Sequence, residues 1–284
     1  MECCASSARG NAIVSDVLAI HDLSSYGKSS LTVVMPVLEA LGSECSPLPT
    51  ALLSTQTDGF DELYVVDFTK DMEEIERVHE SLNLKFDGIY SGYLGSSEQI
   101  SIVERLIKHY NAFALVDPVL GDGGELYQTM DESSVSNMRK LIKHASLITP
   151  NYTEALLLTE REYIPRLDNK AIKELVDALK AIGPEEGVIT SVPIAMGICN
   201  VGYSEDEIRL FPFEELDASF PGSGDLFASL LISLIMKGLS FFSSIKIATE
   251  ISSYAILESK RQGRDRRRGI MLAPVFKEIK RRAL

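Results

Sequence analysis

Basic residues are scarce in this chain: 28 Lys and Arg stand against 41 Asp and Glu in 284 residues, a formal charge of −13. A surface of that average sign repels phosphate backbones and anionic lipid, which argues against a nucleic-acid or membrane-surface binder. Any phosphate the chain holds must be met by local amides or a metal ion. Cysteine is scarce too. Cys3, Cys4, Cys45 and Cys199 have no metal-ligand spacing, and a bridge between the adjacent pair would be strained, so reduced thiols are expected. No apolar span reaches 18 residues, and residues 1–16, MECCASSARGNAIVSD, have neither the basic start nor the continuous apolar stretch of a secretion signal. The expectation is a cytoplasmic protein without a membrane segment. No repeat, low-complexity tract or linker-like Pro/Gly/Ser run divides the chain, so a flexible segment over 1–16 and one domain over 17–284 are expected.

With 45% hydrophobic residues, the chain has material for a large core. Short apolar runs alternate with longer stretches of helical period, the pattern of a mostly parallel sheet wrapped by helices. Strands are expected at Val17–Ile20, Gly88–Ser91, Ala112–Val116, Leu147–Thr149 and Gly187–Thr190. Four core-facing helical stripes lie between them: Met72, Ile75, Val78 and Leu82; Ile100, Val103, Ile107 and Tyr110; Val135, Met138, Leu141 and Ile142; Ala171, Leu175, Leu179 and Ile182. Residues 192–216 break the rhythm and predict two short strands about a Ser-Glu-Asp turn, hence an antiparallel edge. Two further helices are expected in GDLFASLLISLIMKG and FFSSIKIATEISSYAILES, the first too short to cross a bilayer. From Lys260 the chain is dense in charge. Six Lys and Arg between Lys260 and Arg268 read either as an anion patch or, as the favoured reading, as a solvated helix end.

Four segments carry candidate chemistry. LAIHDLSSYGKSSL ends in Gly27-Lys28-Ser29 like a phosphate-binding P-loop, but Asp22 stands where the leading glycine belongs. A carboxylate there would repel a phosphate, so the loop is not expected to grip one. In FPGSGDLFA, Gly222, Ser223 and Gly224 lead straight into a helix, where successive amides and the helix N-terminus suit an anion. Asp225 follows, either as a simple N-terminal acid or as a base beside that anion hole. LVDPVLGDGG places Asp117 and Asp122 at a strand end, where ligands of open α/β sheets gather. LITPNYTEA places Asn151 and Glu154 three apart, which reads equally as a capping box. Two acids with an Asn-x-x-Glu can hold Mg²⁺ through water and substrate phosphates.

In this order, DPVLGD, TPNYTEA and GSGDLFA resemble the ribokinase-like superfamily and, within it, the pyridoxal (vitamin B6) kinases, over about Val17 to Leu257. The resemblance implies a three-layer α/β fold: a mostly parallel sheet with helices on both faces, an antiparallel edge and no separate lid domain. It implies an ATP-dependent kinase acting on a vitamer hydroxymethyl. Asp225 is then the catalytic base and Gly222, Ser223 and Gly224 the anion hole, with Ser223 where threonine is common. Asn151 and Glu154 organise water around Mg²⁺, and Asp117 and Glu154 are the metal-side acids, acting partly through water. Asp117, Asp122, Thr149, Asn151, Glu154, Thr190 and Ser223 face ATP and its metal. Asp22, Thr57 and Tyr93 join Asp225 at the vitamer, with Asp22 where serine is usual and Gln56 where histidine is. A carboxylate near the ring suggests a preference for pyridoxamine. A monovalent cation (K⁺) beside the anion hole and a homodimer are also implied.

Three readings stay open: this one, a hydroxymethylpyrimidine kinase of thiamine synthesis, and a non-catalytic vitamer-binding protein on the same scaffold. A sugar kinase fits less well, because residues 22–57 leave little length for a lid.

Overall fold

The computed structural model describes residues 14–214, 216 and 218–284. Residues 1–13, most of the segment expected to be flexible and including Cys3 and Cys4, lie outside the described residues. The chain runs β1 (Asp16–Ser24), α1 (Leu31–Ala40), β2 (Glu44–Leu53), β3 (Val65–Asp67), α2 (Thr69–Ser81), β4 (Gly88–Ser91) and α3 (Ser97–Tyr110). There follow β5 (Phe113–Val116), a small hairpin of β6 (Gly121–Asp122) and β7 (Glu125–Leu126), α4 (Glu132–Leu141), β8 (Leu147–Ile148), α5 (Tyr152–Thr159) and α6 (Asn169–Lys180). The last part holds β9 (Gly187–Ile194), β10 (Gly197–Tyr203), β11 (Ile208–Phe213), α7 (Ser223–Met236), α8 (Phe241–Arg261) and α9 (Leu272–Arg282).

One nine-stranded sheet, in the order β11-β10-β9-β8-β5-β4-β1-β2-β3, organises the molecule. Its strands alternate between two apolar cores. Val17 and Ala19 of β1 face one core and Leu18 and Ile20 the other, and all four are fully buried. Burial on both faces is why these strands read as continuous apolar runs. Helices α1, α7, α8 and α9 cover one face, and α2 to α6 the other. The expected three-layer α/β architecture is therefore present. The expected antiparallel edge is β9-β10-β11, turned at Ser204, whose N–H donates to the Glu207 carbonyl at 2.8 Å.

The structure departs from the sequence reading in places. Residues 44–53 form β2, a strand the reading omits because Pro47 and Pro49 punctuate it. These prolines sit opposite Ala19 and His21, while β3 pairs only with Ala51 to Leu53. The proline-bearing half of β2 therefore lies at the open edge, where a missing N–H is tolerated. Val78 and Leu82, expected in the core, are 40% and 62% exposed. Helix α2 instead buries Met72 and Glu76, and Glu76 pairs with Arg105 of α3 at 2.7 Å. Of the charged tail, Lys260 and Arg261 are the exposed basic end of α8, as expected, while Arg266–Arg268 form a separate short 3₁₀ turn before α9.

Leu106 of α3 is 1% exposed in the core shared by the sheet and α2 to α6. Leu106→Ala should cost about 2–5 kcal/mol, read as a lower urea midpoint with an unchanged slope.

Candidate active site

The site gathers at the carboxyl ends of β1, β4, β5 and β8, where helices α1, α5 and α7 begin. Gly222, just before α7, has φ +85°, a conformation open to glycine, and a Cβ there would lie 2.5 Å from the Lys28 carbonyl oxygen. The Gly27-Lys28-Ser29 loop is thus packed on Gly222 through its backbone, with Lys28 exposed. The Ser223 N–H donates to the Phe220 carbonyl at 3.2 Å, and the Leu226 N–H to the Gly222 carbonyl at 2.9 Å. Among the described residues the Gly224 and Asp225 amides have no acceptor, and a Cβ on Gly224 would meet nothing within 4 Å. Two free N–H groups at a helix N-terminus beside open space suit a phosphoryl oxygen.

Asp225 occupies the first turn of α7 with its side chain 15% exposed. Its Oδ2 accepts the Ser30 N–H at 2.8 Å, and its Oδ1 lies 3.8 Å from His21 Nδ1. Burial pushes the His21 pKa down to about 3, so the imidazole is neutral and the contact is not an ion pair. Burial also pushes Asp225 up to about 6, against the pull of the Ser30 N–H and with a smaller push from the Asp22 charge. A carboxylate tuned toward neutrality and left with one open oxygen suits a general base.

The other acids are equally withdrawn from water. Burial first, and the Asp225 charge second, raise Asp117 well above the usual carboxylate range; burial and the Asp117 charge do the same for Glu154. Glu154 accepts N–H groups from Leu120 at 3.1 Å and Asn151 at 2.8 Å, and Asn151 returns a bond to the Glu154 N–H. The capping box that the sequence offers as an alternative is therefore present, and it aims Glu154 at the loop after β5. Asn151 Nδ2 reaches the Gly121 carbonyl at 2.8 Å, Thr149 lies buried beside Asp117, and the Thr190 N–H donates to the Pro150 carbonyl at 2.8 Å. Asp122 is exposed on the β6–β7 hairpin, where it accepts the Gly123 N–H. Tyr127, missed by the sequence reading, has its hydroxyl pKa raised by burial and by all these acids.

Among the described residues Asp117 and Glu154 pair with no Lys, Arg or His, and no three acids, histidines or cysteines converge on a point that could hold a metal. Two uncompensated carboxylates fit a hydrated Mg²⁺ that takes its other oxygens from water and substrate phosphates.

The expected vitamer-side residues differ in exposure. Asp22 is 4% exposed and accepts hydroxyls from Ser30 at 2.5 Å and Ser24 at 3.3 Å. Tyr93 is half-buried and Thr57 exposed. Gln56 is buried, but its amide folds back on its own loop: Oε1 accepts the Asp58 N–H at 2.7 Å, and Nε2 reaches the Arg267 carbonyl at 3.4 Å. The basic turn joins three loops here. The Lys28 N–H donates to the Arg268 carbonyl, Arg266 pairs with Asp58 at 2.7 Å, and Arg266 Nε reaches the Ser219 carbonyl at 3.2 Å. Ser30 and His21 were also missed. The signal for Ser30 was its place at the start of a helix after a strand-end loop, hidden by the neighbouring P-loop resemblance.

A sequence profile of the family described as phosphomethylpyrimidine kinase matches residues 34–268. A Bacteroides thetaiotaomicron protein described as a putative phosphomethylpyrimidine kinase superposes with a TM-score of 0.88 at 36% identity over 94% of each chain, and a second crystal form of it contains pyridoxal. Pyridoxal kinase from Lactobacillus plantarum superposes with a TM-score of 0.87 at 32% identity, over 95% of this chain and 98% of that one. A Schizosaccharomyces pombe protein described as a putative pyridoxal kinase is 29% identical over 177 residues, 56% of this chain and about half, 51%, of that protein's length.

Two outcomes follow from Asp225. A general base acts deprotonated, so if Asp225 serves as one, kcat/KM should rise with pH and level off above about 6. Because the folded pKa is raised, Asp225 favours the folded state below its unfolded value, and that contribution is lost as pH rises through about 6. Asp225→Asn should therefore raise the thermal midpoint at pH 8, by a margin that shrinks toward pH 4. Gly222→Ala, barred by φ and by the Lys28 carbonyl alike, should lower the midpoint and activity together.

Proposed function

The chain belongs to the phosphomethylpyrimidine kinase family of ribokinase-like small-molecule kinases, and on that premise we propose that it transfers the γ-phosphoryl of ATP to the 5′-hydroxymethyl of a vitamin B6 vitamer. One observation carries the reading: the Asp225 carboxylate, fixed by the Ser30 amide, sits in the same helical turn as the free Gly224 and Asp225 amides. A base and an anion hole so placed serve a reaction in which a hydroxyl is deprotonated as negative charge develops on a phosphoryl group. The pyridoxal in a relative at 35% identity and the L. plantarum pyridoxal kinase at 32% support the vitamer as acceptor.

In this scheme the vitamer hydroxyl approaches Asp225 Oδ1, since Oδ2 already accepts Ser30. Asp225 takes the proton as the oxygen bonds to the γ-phosphorus and the bond to the β,γ-bridging oxygen breaks to release ADP, while the free amides of Gly224 and Asp225 hold the phosphoryl oxygens. Asp117 and Glu154, with Asn151 and Thr149 beside them, would hold Mg²⁺ partly through water; the ion supplies charge neutralisation to the phosphates. Most of the rate enhancement comes from positioning and electrostatics. Thr190 and Asp122 border the nucleotide side of the cleft, and Tyr93 and Thr57 the vitamer side. A monovalent cation beside the anion hole and a homodimer belong to the same proposal.

A preference for pyridoxamine draws less support from this geometry, because both Asp22 oxygens already accept hydroxyls. The family's description favours a second reading, phosphorylation of a hydroxymethylpyrimidine, whose flat ring also bears a primary alcohol. ADP release measured with pyridoxal, pyridoxine, pyridoxamine and hydroxymethylpyrimidine separates the two, and turnover on none of them would leave only a binding protein. Asp225→Asn and Asp225→Ala should lower kcat by about 10²–10⁴-fold with ATP affinity changed little; near-normal turnover would refute the assignment of the base.

A further inference from the structure

Ser30 has an unusual backbone. It precedes α1 with φ 48° and ψ −134°, a region open to glycine and costly for any residue with a Cβ. A serine at a helix start ordinarily turns its hydroxyl onto the amides of the first turn, but Ser30 makes no such bond. Its hydroxyl donates to Asp22 Oδ1 at 2.5 Å, and its amide donates to Asp225 Oδ2 at 2.8 Å. One residue in a strained conformation thus links a buried carboxylate near the end of β1 to the carboxylate proposed as the base.

The Asp22 side of the link is itself closed. Its other oxygen accepts the Ser24 hydroxyl, which also contacts the Ser29 hydroxyl at 3.2 Å. With both oxygens engaged and the residue 4% exposed, the carboxylate faces the start of α1. A hydroxyl held by a buried carboxylate is among the stronger hydrogen bonds a protein makes. A glycine at 30 would adopt the same φ without strain, but it would leave Asp22 without its shortest partner and the peptide free to turn.

We propose that Asp22 and Ser30 are a positioning pair for Asp225: the Asp22 carboxylate anchors the Ser30 hydroxyl, and the anchored peptide presents the N–H that fixes Asp225 Oδ2 and leaves Oδ1 for the substrate proton. This assignment rests on the kinase reading and gives Asp22 a role other than contact with the vitamer. The titratable groups around Asp225 are His21 and Asp22 of β1, Tyr90 of β4, Asp117 just after β5 and Tyr127 just after β7. Against the burial and charge that raise the Asp225 pKa, Ser30 supplies the backbone hydrogen bond that pulls it down.

The test compares Ser30→Ala with Ser30→Gly, and Asp22→Ala with Asp22→Asn. Both serine variants lose the hydroxyl, but glycine alone relieves the strain. Ser30→Ala should lose about ten- to a hundredfold in kcat with KM for ATP nearly unchanged, and Ser30→Gly, relieved of strain but without the anchor, should recover part of that loss and stay below the parent. Asp22→Asn keeps an acceptor for Ser30 and should retain more kcat than Asp22→Ala. Carbon-13 titration of the Asp225 carboxyl gives a readout independent of turnover: its midpoint should rise by about one pH unit in Ser30→Ala and stay nearer the parent value in Ser30→Gly. Equal losses and equal midpoints in the two serine variants would overturn the backbone role. Asp22 variants that raise KM for the vitamer while kcat holds would make Asp22 a substrate contact and overturn the pair. No turnover in the parent protein would instead sink the kinase reading, and the titration would still decide the pairing.

Discussion

Four carboxylates, Asp22, Asp117, Glu154 and Asp225, are withdrawn from water around one cleft, and among the described residues none of them pairs with a lysine or arginine. Burial alone pushes each upward in pKa, so the structure around them is arranged to make the ionised form tolerable. Glu154 and Asp225 stand in the first turns of α5 and α7, where the helix dipole favours negative charge. Backbone amides serve Glu154 and Asp225, and hydroxyls serve Asp22. A cleft with that field suits a ligand that brings cations with it, and the donors left free at the start of α7 among the described residues are uncharged amides.

Much of this was legible in the sequence because it depends on local pattern. Strands buried on both faces leave apolar runs, so DPVLGD and TPNYTEA could be placed just after strands, and GSGDLFA could be placed at the start of an apolar helix. What was not legible depends on distant partners. The prolines of β2 are harmless only because β3 is too short to reach them, and Val78 and Leu82 match a helical stripe but lie beyond the sheet's cover. Ser30 looks like an ordinary helix start; its importance comes from a carboxylate 195 residues away. The Arg266–Arg268 turn reads as solvated charge until Tyr26, Asp58 and Ser219 are found against it.

The loop that first suggested a P-loop keeps a part in the site by different means. Its lysine side chain is exposed, but its backbone carbonyl lies against Gly222 and its amide bonds to Arg268. Sequence similarity to a phosphate-binding loop and spatial proximity to a phosphate site coincide here without sharing a cause. The first depends on the side chains of Lys28 and Ser29, the second on how closely two backbones approach.

The basic turn has a consequence for how the protein comes into being. It joins the loops after β1 and β2 to the segment leading into α7, across sequence separations of up to 242 residues. Contacts of such separation form late, because a long loop must close before they are rewarded. A chain still on the ribosome, or stalled half-folded, has the acids of its middle third but neither the anion hole nor the brace that seats the first loop on it. The residues proposed to act on ATP therefore come together only when the two ends of the chain have met.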